Sequence, residues 1–394
     1  MLNPDMLQAP EGLRSDINGL YRIDEATHVA HLIEYATLES QQNQAIASQA
    51  TRFVERVRAE RKNSAGIDSF MTEYSLSGDE GIALMCLAEA LLRVPDHQTV
   101  DRLIKDKIAG PDWRSHRGQS TSFFVNAATW ALILTGKVLA PEKAESVVTK
   151  AMMTLLNRSS EAVVRKAINQ AMRIMSKQFV MGRTISEALS RSKKKEAVGY
   201  RFSYDMLGEA ALTVSDAERY FVAYQDAIET IGKDADRDAD LRTKAGVSIK
   251  LSALHPRYEE ALRHRVLAEL GPKLLELAQR AKHYNIGLTI DAEESERLDL
   301  SLDLIELVFK DSSLDGWDGF GLALQSYQKR AFVVLDWIAV LARSKKRRMM
   351  VRLIKGAYWD SEIKKAQVRG MTEYPVFTRK VFTDVSFQAC AKKC

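Results

Sequence analysis

The stretch MVRLIKGAYWD, residues 350–360, decides how the C-terminal half is read. It opens on a short apolar run, is interrupted by Arg352 and Lys355, and turns at Gly356 into an aromatic and acidic tail. An apolar run of this length, set between the basic KKRR segment (345–348) and a glycine, fits a buried strand and is too short for a covered helix. The same pattern recurs upstream in YRFSYDML (200–207), GVSIKLSAL (246–254), GLTIDAE (287–293) and FGLALQ (320–325). Longer amphipathic segments alternate with these runs at about 214–231, 258–283, 295–310, 327–343 and 377–393. Five successive β/α units predict a parallel sheet covered by helices. Five strands complete a doubly wound sheet but leave a (β/α)8 barrel incomplete, and periodicity does not choose between the two.

Both architectures bind ligands beyond the C-terminal ends of their strands. The first run ends in Asp205, with Glu209 four residues on. The second carries Lys250, the third ends in Asp291, Glu293 and Glu294, the fourth in Gln325 and Tyr327, and the fifth carries Arg352 and Lys355. One charge at a strand end is usually solvated or caps a helix. A polar group at the end of every strand points to a site. Arg352 and Lys355 interrupt a buried run, where an unpaired charge is costly, so they call for a phosphate, a carboxylate or a flavin ring as partner. Alternation puts Arg352 and Ile354 on one face, with Lys355 on the other unless the strand is ending.

Common cofactor motifs are missing. No GxGxxG follows a strand, no GxxxxGK[ST], HExxH or GxSxG occurs, and GWDGFG (316–321) has the wrong spacing. The seven histidines form no ligand pair, and His28 and His31 are read on a polar helix face.

Before residue 195 the pattern is helical. Residues 24–61 carry a one-sided stripe through Val29, Leu32, Ile33, Ala36, Ile46, Ala50, Phe53 and Val57, which predicts a long helix or a broken pair extending as an arm. SLSGDEGIALMCLAEALLRVPD (75–96) reads as a central helix, followed by helices near 99–108, 122–138, 141–157, 160–180 and 183–193. The basic stretch SRSKKKEAVGYR (190–201) reads as a linker. The resulting divisions are a helical arm at 1–62, a helical domain at 63–195 and a β/α part at 196–394.

The 394 residues are 46% hydrophobic and 28% charged with a formal charge of +5, which fits a globular chain and is too weak an excess to imply nucleic-acid binding. Cys86, Cys390 and Cys394 have no metal-ligand or disulfide spacing, so a reduced, cytoplasmic setting is expected. No signal peptide precedes the arm, and no run reaches the roughly 18 apolar residues of a membrane span, so membrane contact is expected to be peripheral.

RFSYDMLGEAA (201–211), SIKLSALHPRY (248–258), LTIDAEESERLDLSLDL (288–304), ALQSYQKRA (323–331), VRLIKGAYWDSEIKKAQ (351–367) and YPVFTRKVFTDVSFQACAKK (374–393) closely resemble the proline dehydrogenase barrel of the bacterial bifunctional proline utilisation (PutA) family. The segment at 75–96 resembles the helical domain that precedes that barrel. The resemblance implies an FAD-binding (β/α)8 fold. It implies oxidation of L-proline to 1-pyrroline-5-carboxylate, with electrons passed to ubiquinone at the membrane surface. It also implies a homodimer through the arm. It assigns Lys250 to the proline carboxylate, Asp291 and Tyr358 to the substrate pocket, Glu209 to its mouth and Arg352 to the flavin N5 region. Gln325 is assigned to the isoalloxazine. Ala292, Ile354, Lys355, Gly356, Ala357 and Trp359 would line the flavin, with Asp291 beside it, and Thr378, Arg379 and Lys380 would reach its adenylate part. No metal is implied.

The chain departs from the family in two ways. It stops at Cys394, in the helix after the fifth strand, so the last three strands, the arginine pair that clamps the carboxylate and the NAD-dependent aldehyde dehydrogenase part are not in it. The arm also begins within the first thirty residues, which leaves no room for a ribbon-helix-helix domain, so DNA binding is not expected. The readings to separate are a proline-oxidising flavoenzyme and a non-catalytic dimerisation fragment, with a complete doubly wound enzyme as a third.

Overall fold

The computed structural model describes residues 11–61, 180–236 and 238–394. The helices expected between 75 and 180, together with Cys86, lie outside the described residues. The chain divides into two compact units, one made of Met1–Glu39 and Ser192–Cys394, the other of Ser40–Arg191. The first two helices thus fall in the unit that holds the strands.

In chain order the helices and strands are α1 (Glu11–Gly19), α2 (Glu25–Ala36), α3 (Ser40–Arg61), α4 (Ile185–Glu196), β1 (Ser203–Asp205), α5 (Val214–Asp234), β2 (Gly246–Ile249), α6 (Leu251–Leu254), α7 (Arg263–His283), β3 (Gly287–Ile290), α8 (Leu298–Phe309), β4 (Phe320–Gln325), α9 (Ala331–Ser344), β5 (Met350–Ile354), α10 (Trp359–Val368) and α11 (Lys380–Lys393). The stripe at 24–61 is thus a broken pair, α2 and α3. Val29, Leu32 and Ala36 of α2 are buried, whereas Ile46, Phe53, Val54 and Val57 of α3 are exposed. His28 is not on a polar face: it is buried, its Nε2 lies 2.8 Å from the Lys329 carbonyl, and its ring stacks on Phe377. The basic stretch read as a linker is helical as far as Glu196.

The five strands pair in parallel, and their spatial order follows the chain, β1-β2-β3-β4-β5. A doubly wound sheet must reverse direction at a switch point, and no reversal occurs here. Right-handed crossovers that always step the same way lay their helices on one side and curl the sheet towards a barrel. The strands are the first five β/α units of a (β/α)8 fold, and the doubly wound reading is excluded.

The layers follow from alternation. Tyr204, Val247, Ile249, Leu288, Ile290, Leu322 and Leu324 point outward under the helices, and all are buried. Ser203, Asp205, Ser248, Thr289, Ala323, Gln325 and Arg352 take the inner row by register. α5 shows how a helix is fixed to this sheet. Thr213 and Asp216 cap each other's backbone N–H, and Ala217, Phe221, Tyr224, Ile228 and Ile231 place one buried stripe on β2. α7 does the same with Val266, Leu270, Leu274, Leu277 and Ala281, and Pro272 is tolerated on its exposed side.

Strand ends and one helix differ from expectation. The second strand stops at Ile249, and Leu251–Leu254 turn into α6, because Lys250 ends the ladder and caps a short turn. α10 was not anticipated: it is a short helix after Tyr358 that buries Glu362 and Ala366.

Candidate active site

Lys250 is the first residue beyond β2, and its N–H donates to the Tyr224 hydroxyl at 3.2 Å. Its ammonium donates to both oxygens of Asp205, each at 2.8 Å, and to Asp291 Oδ2 at 2.9 Å. Arg352 Nη1 donates to the other oxygen of Asp291 at 3.0 Å, while Nη2 donates to Ser203 at 2.9 Å and Ser248 at 2.8 Å. The ends of β1, β2, β3 and β5 are joined by a run of alternating charges, Asp205–Lys250–Asp291–Arg352, which balances internally.

Burial alone would pull the Lys250 ammonium down, but Asp205 and Asp291 outweigh it and hold its pKa above the ordinary lysine range. Burial pushes the Asp205 carboxyl up, and its ion pair with Lys250 only partly opposes this. The Tyr358 hydroxyl donates to Glu209 Oε2 at 3.1 Å. Burial, then the Glu209 charge, raise that phenol well above its ordinary range, so it remains a proton donor.

A supporting layer fixes these groups. Asp291 N–H donates to Ile249 O at 2.9 Å, which continues the β2–β3 ladder by one residue. Glu293 is buried and accepts from Ser252 N–H in α6 at 2.9 Å and from Arg297 at 2.5 Å, anchoring the turn that carries Lys250. Burial raises the Glu293 pKa despite these bonds. Gln325 is buried, with Nε2 donating to Glu293 O at 2.7 Å and Oε1 accepting from Ala357 N–H at 3.0 Å, so its amide braces the β3 and β5 loops.

The expected flavin residues divide. Ala292, Ile354, Gly356 and Ala357 lie at the strand ends beside the charge run. Gly356 has φ 145°, and a Cβ there would sit 2.4 Å from the Tyr327 ring, so only glycine lets this loop pass. Trp359 donates its indole N–H to Phe377 O at 2.8 Å and is partly exposed. Lys355 lies beyond the end of β5 and pairs with Asp384 at 2.6 Å, away from the inner row; Lys380 reaches the same carboxylate at 3.5 Å. Arg379 caps α11. Thr378 is engaged from an unexpected quarter: its N–H and hydroxyl both donate to Glu25 of α2, at 2.6 and 2.7 Å.

A planar group above the strand ends would meet small side chains, Ala323 near the end of β4, Ala292 after β3, and Gly356 and Ala357 after β5. Lys355, Arg379 and Lys380 supply cations for an anionic tail. The residues present therefore fit a flavin nucleotide.

Residues 188–394 match the family model for Proline dehydrogenase. The chain belongs to the proline dehydrogenase family. Residues 11–58 match a model described as the Proline utilization A proline dehydrogenase N-terminal domain. The chain is 49% identical over 384 residues to Bifunctional protein PutA of Escherichia coli (strain K12), covering 96% of this chain and 29% of that protein. It is 48% identical to that of Rhizobium meliloti, covering 97% and 31%. A crystal structure of a mutant of Bradyrhizobium japonicum Proline Utilization A (PutA) superposes with a TM-score of 0.66 at 46% identity, over 94% of this chain and 36% of that one. The chain thus corresponds to the N-terminal region of PutA proteins and spans about a third of their length or less. Residues 66–179 match a model described as the DNA-binding domain of Proline dehydrogenase. The expectation of no DNA binding rested on the lack of a ribbon-helix-helix segment, and this match leaves it without support.

Ser203, Ser248 and Glu25 were not singled out in the sequence, and Asp205 and Glu293 were read there only as polar strand-end groups without individual roles. Ser203 and Ser248 precede Asp205 and Lys250 by two residues, so strand alternation was the signal that could have found them.

Proposed function

We propose that this protein oxidises L-proline to 1-pyrroline-5-carboxylate with FAD bound over the strand ends, electrons passing on to ubiquinone at a membrane surface. The observation that carries the reading is the charge run Asp205–Lys250–Asp291–Arg352 beside the Tyr358–Glu209 pair. A run balanced in this way suits a zwitterion, whose carboxylate needs a cation and whose amine needs an anion.

The flavin supplies the hydride acceptor, the step that side chains cannot perform. Lys250 binds the substrate carboxylate. Asp291 lies between the two cations and orients both. Arg352 would stand beside the flavin, where a fixed cation favours the charge of the reduced ring. Tyr358, kept protonated, closes the pocket with Glu209 at its mouth. Ala292, Ile354, Gly356, Ala357 and Trp359 would line the ring with Gln325 bracing the loops, and Lys355, Arg379 and Lys380 would hold its adenylate part; Thr378, assigned there by the resemblance, has its N–H and hydroxyl taken by Glu25. The exposed Leu207 and Leu212 in the loop leaving β1, with the exposed Val214 at the start of α5, support an apolar acceptor approaching this end. The exposed apolar residues of α3 support a homodimer through that helix.

The test is anaerobic addition of L-proline to the purified flavoprotein. The oxidised-flavin absorbance is expected to bleach with L-proline and to stay unchanged with D-proline. Bound flavin that L-proline leaves oxidised would contradict the proposal.

A further inference from the structure

An ammonium group has three N–H bonds, and all three of those on Lys250 are engaged, two by Asp205 and one by Asp291. A substrate carboxylate cannot join Lys250 without displacing one of these acceptors. The two acids are held differently. The Asp291 side chain is 13% exposed, also carries Arg352 and continues the β2–β3 ladder through its N–H. The Asp205 side chain is 46% exposed, and among the described residues its carboxylate accepts hydrogen bonds from Lys250 alone. Asp205 is also the last residue of β1, with its side chain at the strand end where a ligand would enter. It is the acid that can leave.

We propose that Asp205 is a placeholder for the substrate carboxylate, holding Lys250 in position in the empty site and releasing it when a ligand carboxylate takes over. The proposal rests on the proline reading above and adds a positioning residue to it. Exchange of one carboxylate for another preserves the charge around Lys250. A bare anion then gains little by entering, since it replaces what is already there. A ligand is selected by what it brings besides its carboxylate, namely a ring for the pocket and an amine.

The exchange also sets a dependence on pH. The charged groups facing Asp205 are Lys250 from β2, Asp291 from β3 and Arg352 from β5, with the Tyr224 hydroxyl of α5 behind them. Burial and Asp291 favour the protonated acid, and the two cations oppose them. A protonated Asp205 no longer competes for Lys250. Carboxylate binding therefore tightens as pH falls through the Asp205 titration.

The experiment measures binding of L-proline, and of cyclopentanecarboxylate as a probe that lacks the amine, to the full flavin-loaded protein by calorimetry across a pH series, with Asp205→Asn alongside. The variant is expected to bind cyclopentanecarboxylate on the order of tenfold more tightly at neutral pH, and to lose the pH dependence that the parent shows. Equal or weaker binding by the variant, with the pH profile retained, would overturn the placeholder role while leaving the proline reading standing. If neither ligand binds either protein, the proline reading falls and the placeholder with it. Should Asp205→Asn fail to fold, the parent's own pH profile decides, because a flat profile excludes an exchanging acid.

Discussion

Lys250 and Arg352 are both cations on the inner row, yet the chain holds them differently. Arg352 uses its planar fork to bridge Asp291, Ser203 and Ser248, which locks its orientation, whereas Lys250 is a point charge between two acids and can exchange partners without changing its position. That difference matches a fixed cation beside a cofactor and an exchangeable one for a substrate. Gly356 is the backbone counterpart of this precision. With φ at 145° and no room for a Cβ beside Tyr327, Gly356→Ala is expected to destabilise the protein by about 1–3 kcal/mol, read as a lower denaturant midpoint. An unchanged midpoint would mean that the loop after β5 is slack.

The elements show where the sequence could be read and where it could not. β4 ran from 320 to 325 as expected, because it is buried on both faces and its apolar run is bounded sharply. β1 was overestimated as 200–207: its ladder with β2 is only Ser203–Asp205, and the flanking Tyr200 and Leu207 are exposed. α10 escaped notice because its polar face dominates a short segment. The placement of polar residues at strand ends was legible from the fold rule, but their choice of partner was not. Nothing local pairs Glu25 with Thr378, or places the Ile23 carbonyl on the buried Lys329 ammonium at 2.6 Å. These contacts dock the start of α2 on the entry to α11 and on the turn before α9, from more than 300 residues away, and they explain why the first 39 residues belong to the barrel unit. Glu25→Ala is expected to lower stability by about 1–2 kcal/mol, since it removes two hydrogen bonds to a carboxylate at the start of α11. Chemical denaturation measures it.

At the scale of the whole molecule, α1 is tied to the outer helices through Asp303, which meets Arg14 of α1 at 3.1 Å and also contacts Arg263 of α7. Burial pushes the Asp303 carboxyl up from 3.8 to about 6, although both arginines oppose the shift. The folded state therefore holds this proton more tightly than the unfolded chain. The stability it contributes is complete below pH 3.8 and is lost as pH rises through about 6. Asp303→Asn should lack that loss, so the difference in melting temperature between variant and parent should change across this window and level off above it.

The central claim is that the strand-end charge run is a proline site over a bound flavin. It is tested most directly by mixing L-proline anaerobically with the flavin-loaded Lys250→Met variant and following flavin bleaching against proline concentration. The variant should keep its flavin spectrum and need far more proline, at least tenfold, for half-maximal bleaching, the loss of one charged hydrogen bond to the substrate. Proline saturation identical to that of the parent would contradict the assignment.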